Sequence, residues 1–150
     1  MSQLDASQHN NDNLFKIRHS AEHVLTQAMQ RLFGADKFYM AMGPATDDGF
    51  YFDFEPLGDF KVSEDDFAKI EAEMAKIVKE NLPIVRSEIT IDEAKKIFAN
   101  NPYKMEWLEA IKDRDEVISI YKTGDQFVDL CAGPHVEHTS EIKAFKLLSI

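Results

Sequence analysis

The sequence predicts an α+β fold, and three patterns carry that prediction. Apolar residues recur at three- and four-residue spacing in several segments, which marks one buried face of a helix. Other short segments alternate apolar and polar residues on either side of glycine-containing turns, as paired strands do. The hairpins are separated by helices, the order of an α+β domain.

Residues 1–13 are polar and rich in Asn and Gln, and read as a flexible N-terminal tail ahead of a domain spanning 14–150. From Leu14 to Phe33 the pattern is helical. Ile17, Ala21, Val24, Leu25, Ala28, Met29 and Leu32 form one apolar face, and Gly34 is the expected stop. Tyr39 to Phe54 reads as two strands about a turn at Asp47-Asp48-Gly49, with Phe50, Phe52 and Phe54 on one side of the second strand. Ser63 with Asp66 three positions on resembles a capping box, opening a helix with the stripe Phe67, Ile70, Met74 and Ile77. Pro83 introduces a short strand, Ile84 to Ile89. Thr90 and Glu93 cap a short helix to about Ala99, and Asn101-Pro102 starts another that buries Met105, Leu108 and Ile111. Strands at Val117–Tyr121 and Gln126–Leu130 flank the turn Lys122-Thr123-Gly124-Asp125. The apolar, strand-like run from Ile142 to Ile150 closes the chain, and reads as a fragment's end in a longer protein.

At 150 residues the chain suits one domain with a real core, and 44% hydrophobic with 29% charged residues is ordinary for a globular protein. No apolar run approaches the ~20 residues of a membrane span, so no membrane partner is expected. A single cysteine leaves no disulfide framework and suggests a reducing, cytoplasmic setting. The net charge of −10, with eleven acids against four lysines between Asp47 and Glu80, repels phosphate backbones. A polynucleotide substrate would have to be held largely by something else.

A histidine pair and a cysteine–histidine pair carry the chemical interest. His19 and His23 stand one helical turn apart, nearly opposite the apolar stripe and beside Thr26 and Gln30. That spacing fits a solvated polar face as well as a site. Cys131 is followed by Gly133-Pro134 and His135, and strand alternation puts Phe127, Asp129 and Cys131 on one face. The thiol could be a packed core residue, a metal ligand, a nucleophile or part of a site that grips a small polar ligand. His19, His23, Cys131 and His135 together make a plausible tetrahedral zinc set. Lys104 falls in the first turn of its helix, where the dipole disfavours a cation and suits a general base.

RHSAEH, GPATDDGFYFDF, the YK pair, DLCAGPHV and AFKL resemble, in that order, the editing domain of threonyl-tRNA synthetase, from about Ile17 to Ile150. The resemblance implies an antiparallel sheet wrapped around a central helix carrying the two histidines, the threonyl/alanyl editing-domain type. It implies hydrolysis of seryl-tRNA(Thr), the error product of a ligase that cannot exclude serine, since one methyl gives only ~10- to 200-fold discrimination by binding. His19, Lys104, Asp129, His23, Cys131 and His135 match the family's site residues. His19 and Lys104 would position or activate water, and Asp129 would hold the substrate ammonium or orient a partner. Cys131, His23 and His135 would shape a serine-sized pocket, with Gly43, Phe52 and Tyr121 as substrate-binding neighbours. Ala132 and Phe52 stand where the family commonly has arginine and tyrosine, which bears on efficiency. The editing reaction is expected to need no cofactor, with Zn2+ possible on His19, His23, Cys131 and His135. ATP and Zn2+ are implied only for the synthetase domains this chain lacks. The implied partners are the acceptor end of seryl-tRNA(Thr) and the other domains of a homodimeric parent. The alternatives are a free-standing trans-editing deacylase, possibly zinc-dependent, and a non-catalytic tRNA-positioning module.

Overall fold

The computed structural model describes residues 3–40, 45–46, 49–50, 52–111, 118–131 and 133–149. Gly43, the Asp47-Asp48 pair of the first turn and Ala132 lie outside the described residues. The architecture is α+β, with small antiparallel sheets and, among the described residues, four α-helices.

Helix α1 runs from Gln3 to Phe33. The polar stretch expected to be a tail is therefore helical from Gln3, and it contains no glycine or proline to stop a helix propagating outward from its apolar half. Ser20 to Met29 are all buried, so this part of α1 is covered on every side. Its apolar stripe (Ala21, Val24, Leu25, Ala28, Met29) packs on Ile70, Met74 and Ile77 of α2, Phe67–Lys79. Its other side buries Ser20, Glu22, His23, Thr26 and Gln27. Opposite the stripe, in other words, stands a second protein layer instead of solvent.

The hairpin expected between Tyr39 and Phe54 forms two short ladders. Strand β1, Phe38–Met40, pairs with β4, Phe54–Pro56, and β2, Ala45–Thr46, pairs with β3, Gly49–Phe50. Phe52 and Phe54 stack 5.4 Å apart and meet Phe38 edge-on, and with Phe50 they pack against the main core. A 3-10 turn, Glu64–Asp66, leads into α2, and the Asp66 carboxylate accepts the Ser63 N–H at 2.9 Å.

The third sheet has the order β5-β6-β7: Ile84–Ile89, Ile118–Thr123 and Phe127–Leu130. Lys122 and Thr123, expected in the turn, belong to β6. The Thr123 side chain is buried, and the chain reverses at Gly124, whose φ of +60° a side chain would resist. One face of this sheet (Ile118, Ile120, Leu130) packs on Ala94 and Phe98, from α3, Ile91–Ile97, and just beyond it, and on Leu108 of α4, Pro102–Ile111. The other face carries Tyr121, Phe127 and Asp129. The Asn101 carboxamide oxygen caps α4 by accepting the Tyr103 N–H at 3.0 Å and the Lys104 N–H at 3.3 Å. No regular element forms in 142–149, although Ile142 is buried and Phe145 and Leu147 lie against the core.

Candidate functional site

Strand alternation turns Phe127, Asp129 and Cys131 to the same side, and that side meets α1. The Phe127 ring lies edge-on to His23 at 5.6 Å. Asp129 Oδ2 is 3.2 Å from His23 Nε2. Cys131 Sγ is 3.3 Å from His19 Nε2 and 3.4 Å from His135 Nε2. Gly133, at φ +79° and joined to Pro134 by a cis peptide bond, folds the chain back so that the rings of His135 and His19 stack at 4.1 Å. His23 lies 4.2 Å from His135. His23 is fully buried, contrary to the exposed polar face that its place on the helix suggested, because β7 and the Cys131–His135 loop cover that face.

Lys104 enters from the opposite side of the sheet. Its Nζ is 3.0 Å from Asp129 Oδ1, across the outer strand β7. Asp129 Oδ1 also accepts the Leu130 N–H at 2.8 Å. Asp129 thus joins Lys104 on one oxygen to His23 on the other. The amine that the dipole argument offered as a general base is thus held against a buried carboxylate.

The outer nitrogens of the rings are also engaged. His19 Nδ1 donates to the Pro134 carbonyl at 3.2 Å, which turns Nε2 toward Cys131. His135 Nδ1 is 3.0 Å from Ser20 Oγ, and Ser20 Oγ accepts the Val136 N–H at 3.0 Å. Tyr121 packs its ring 4.4 Å from His135, and its hydroxyl lies over the Gly133 α-carbon. Phe52 is placed elsewhere. It lines a groove with Arg18, Phe50 and Phe54 whose described lining includes none of the site histidines, because its ring packs with Phe38 and Phe54 against the core.

Burial and charge tune the group together. Burial works to lower the His23 imidazole, but Asp129, hydrogen-bonded to its Nε2, and the nearby Cys131 outweigh it and raise it to about 10. Burial likewise works to raise the Asp129 carboxyl, yet the His23 hydrogen bond and the Lys104 charge hold it below the ordinary range. For Cys131, the hydrogen bond to His19 and the nearby His23 overcome burial and bring the thiol down to about 6. His135 is pushed down by burial and by the charges of His23 and His19, so it remains neutral. Burial raises Tyr121.

Two participants escaped the sequence reading, Ser20 and Glu22. Both lie inside H-S-A-E-H, so the signal was their position between the histidines. Glu22 is 2% exposed, its Oε2 is 3.6 Å from His23 Nε2, and burial raises its carboxyl to about 7. Because the folded state favours the protonated form, this contribution to stability is complete below about 4.5 and is lost as pH rises through about 7. Glu22→Gln removes that loss. Its unfolding free energy relative to the parent is expected to rise by about 2–3 kcal/mol between pH 4.5 and 8, measured by urea titration at each pH.

The residues also fit a metal ion. One ligand atom from each of His19, His23, Cys131 and His135 lies within 4.8 Å of the others. The two S–N distances of 3.3 and 3.4 Å approach the roughly 3.6 Å edge of a tetrahedral zinc site. His23 Nδ1 is buried without a hydrogen-bond partner among the described residues, while its Nε2 rests on Asp129. A carbonyl, a hydroxyl and a carboxylate therefore support the three imidazoles as outer partners of metal ligands do.

Residues 118–150 match the family model described as the threonyl and alanyl tRNA synthetase second additional domain. A threonine–tRNA ligase of Thermotoga neapolitana is 48% identical over 133 residues, covering 89% of this chain and 20% of the ligase. That of Dehalococcoides mccartyi is 47% identical over 149 residues, 99% of this chain and 24% of the ligase. That of Aquifex aeolicus is 42% identical over 141 residues, with 93% and 22% covered. The chain spans about a fifth to a quarter of the length of these curated relatives.

Proposed function

We propose that this chain, which resembles the editing-type domain of threonyl-tRNA synthetase along nearly its whole length, hydrolyses the ester of seryl-tRNA(Thr) as the proofreading module of a threonine–tRNA ligase. The observation that carries the reading is the buried junction of two polar systems. The His19–Cys131–His135 cluster lies against the Lys104–Asp129–His23 relay, at a place where a solely structural core would hold apolar side chains.

The reaction needs a base for water, a cation for the charge that develops on the carbonyl oxygen, and a wall small enough to exclude threonine. His19, its tautomer set by the Pro134 carbonyl, offers Nε2 to take the water proton as the water oxygen attacks the ester carbon. The Lys104 ammonium faces the oxygen that becomes negative. The carbon–oxygen bond to the ribose then breaks, the ribose oxygen takes a proton, and serine departs. Asp129 aims Lys104 and holds His23, which makes its role orientation. Cys131, His135 and Tyr121 narrow the pocket. Zn2+ held by His19, His23, Cys131 and His135 would supply a Lewis acid and a more acidic water at the same place. The tRNA body is held by the rest of a dimeric cytoplasmic synthetase, in keeping with the net charge of −10 here. Among the described residues no helix is long and apolar enough to cross a membrane.

The test is deacylation of Ser-tRNA(Thr) against Thr-tRNA(Thr), with and without a chelator. Serine-selective hydrolysis that survives chelation is the expected result. Loss with chelator would assign the water to a metal, and absence of hydrolysis in both the chain and its full-length parent would overturn the reading. The lowered thiol of Cys131 beside His19 favours one second reading, a covalent seryl thioester. Cys131→Ser is expected to keep hydrolysis, and a trapped thioester on the parent protein would replace the water mechanism with the covalent one.

A further inference from the structure

An aminoacyl ester differs from most esters in carrying an ammonium group beside its carbonyl, and a site for it needs an anionic acceptor. Asp129 is the obvious candidate and is nearly fully used. A carboxylate offers about four acceptor positions. Three are taken, by Lys104 Nζ at 3.0 Å, the Leu130 N–H at 2.8 Å and His23 Nε2 at 3.2 Å. Binding a further cation there would mean displacing Lys104 or His23, the groups Asp129 holds in place.

Glu22 is the other carboxylate within the cluster, and its position is the converse. Its side chain is 3% exposed, yet its one close charged partner among the described residues is His23 Nε2 at 3.6 Å, beyond hydrogen-bond distance. Only its backbone carbonyl is engaged nearby, accepting the Thr26 hydroxyl at 3.1 Å. Besides His23, the charges of Asp129, His19 and Lys104 also act on this carboxylate, so it lies within the electrostatic field of the cluster. A carboxyl buried this deeply normally finds donors, because an unpaired one is costly. From this accounting of acceptors we infer that Glu22 is the binding residue for the substrate's α-ammonium group, which makes it a determinant of specificity for α-amino acyl esters over hydroxy-acyl or N-blocked ones.

The inference rests on the deacylase reading for the identity of the ester, and its test keeps the two apart. The probes are the serine amide of 3′-amino-3′-deoxyadenosine and the corresponding glyceric acid amide, in which a hydroxyl replaces the amine. Neither can be hydrolysed as an ester. Calorimetric affinities of both are measured on the 150-residue chain and on its Glu22→Gln and Glu22→Asp variants. The ratio of the two affinities within one protein is independent of the fraction folded. The unmodified chain is expected to favour the amine by roughly 10- to 100-fold, a charge-assisted hydrogen bond. Glu22→Gln should bring that ratio close to one, and Glu22→Asp should restore part of it. An amine preference that persists in Glu22→Gln would return the role to Asp129 and overturn the inference, as would a parent ratio near one. If the preference depends on Glu22 but the chain and its parent hydrolyse no seryl-tRNA, the ammonium subsite stands and the deacylase reading falls.

Discussion

Asp129→Ala is expected to lower seryl-tRNA hydrolysis by roughly 10²- to 10⁴-fold and to cost about 3–5 kcal/mol of stability. The substitution leaves the Lys104 ammonium and the His23 imidazolium buried and close together with no anion between them. The stability loss carries its own pH signature. The native Asp129 carboxyl lies below its ordinary value, so its contribution is present at neutral pH and is lost as pH falls through the lowered folded value. The difference between parent and variant should therefore hold from pH 7 to about 4 and shrink as pH falls below the ordinary carboxyl value of about 3.8, as urea unfolding from pH 7 down to about 2 will show. Lys104→Met combined with Asp129→Leu separates the two effects. It removes the ion pair while filling its volume and should recover much of the stability, since a buried pair is often replaceable by apolar residues, and none of the activity. Recovery of hydrolysis in the double variant would remove the relay from the mechanism.

That relay also shows where the sequence was legible. The stripe from Ala21 to Met29 is a single-helix property, and 3.6-residue periodicity exposes it directly. The caps at Thr90 and Asn101 are equally local, each accepting backbone N–H groups on its side-chain oxygen, and at Ser63 the Asp66 carboxylate accepts the backbone N–H. The common face of Phe127, Asp129 and Cys131 follows from strand alternation alone. Periodicity fails where a second layer decides the outcome. Placing His19 and His23 opposite the apolar stripe was geometrically right, but it could not reveal that β7 covers this side too. Ser20 and Glu22 were passed over for the same reason. The Lys104–Asp129 contact joins a helix to a strand 25 residues later across a sheet edge, and no spacing rule reports it; the resemblance singled out both residues but not their contact. Phe52 was the opposite case. The resemblance put it near substrate, while its alternation with Phe50 and Phe54 already assigned it to the aromatic packing where it is found.

Gly133→Ala is the substitution through which local backbone and distant site should fail together. At φ +79° an L side chain is strained, which costs on the order of 1–2 kcal/mol by itself. The added Cβ would also lie 2.2 Å from the Tyr121 hydroxyl oxygen, 2.8 Å from its ring carbon Cζ and 3.0 Å from Cε2. The hydroxyl alone could swing aside, but the ring cannot yield freely. Tyr121 is 8% exposed and meets His135 edge-on at 4.4 Å, and His135 in turn stacks on His19 and lies 3.4 Å from Cys131 Sγ. Displacing Tyr121 therefore propagates into the cluster. A total loss of about 2–4 kcal/mol in urea unfolding is expected, with a fall in hydrolysis of at least roughly 10-fold measured well below the unfolding midpoint. Tyr121→Phe supplies the control. Removing the hydroxyl opens the nearest contact without freeing the ring, so adding it to Gly133→Ala should recover part of the steric cost and leave the φ strain in place. Additive costs for the two changes would mean that Tyr121 does not brace the loop, and that Gly133 serves only the turn that brings His135 back to Cys131.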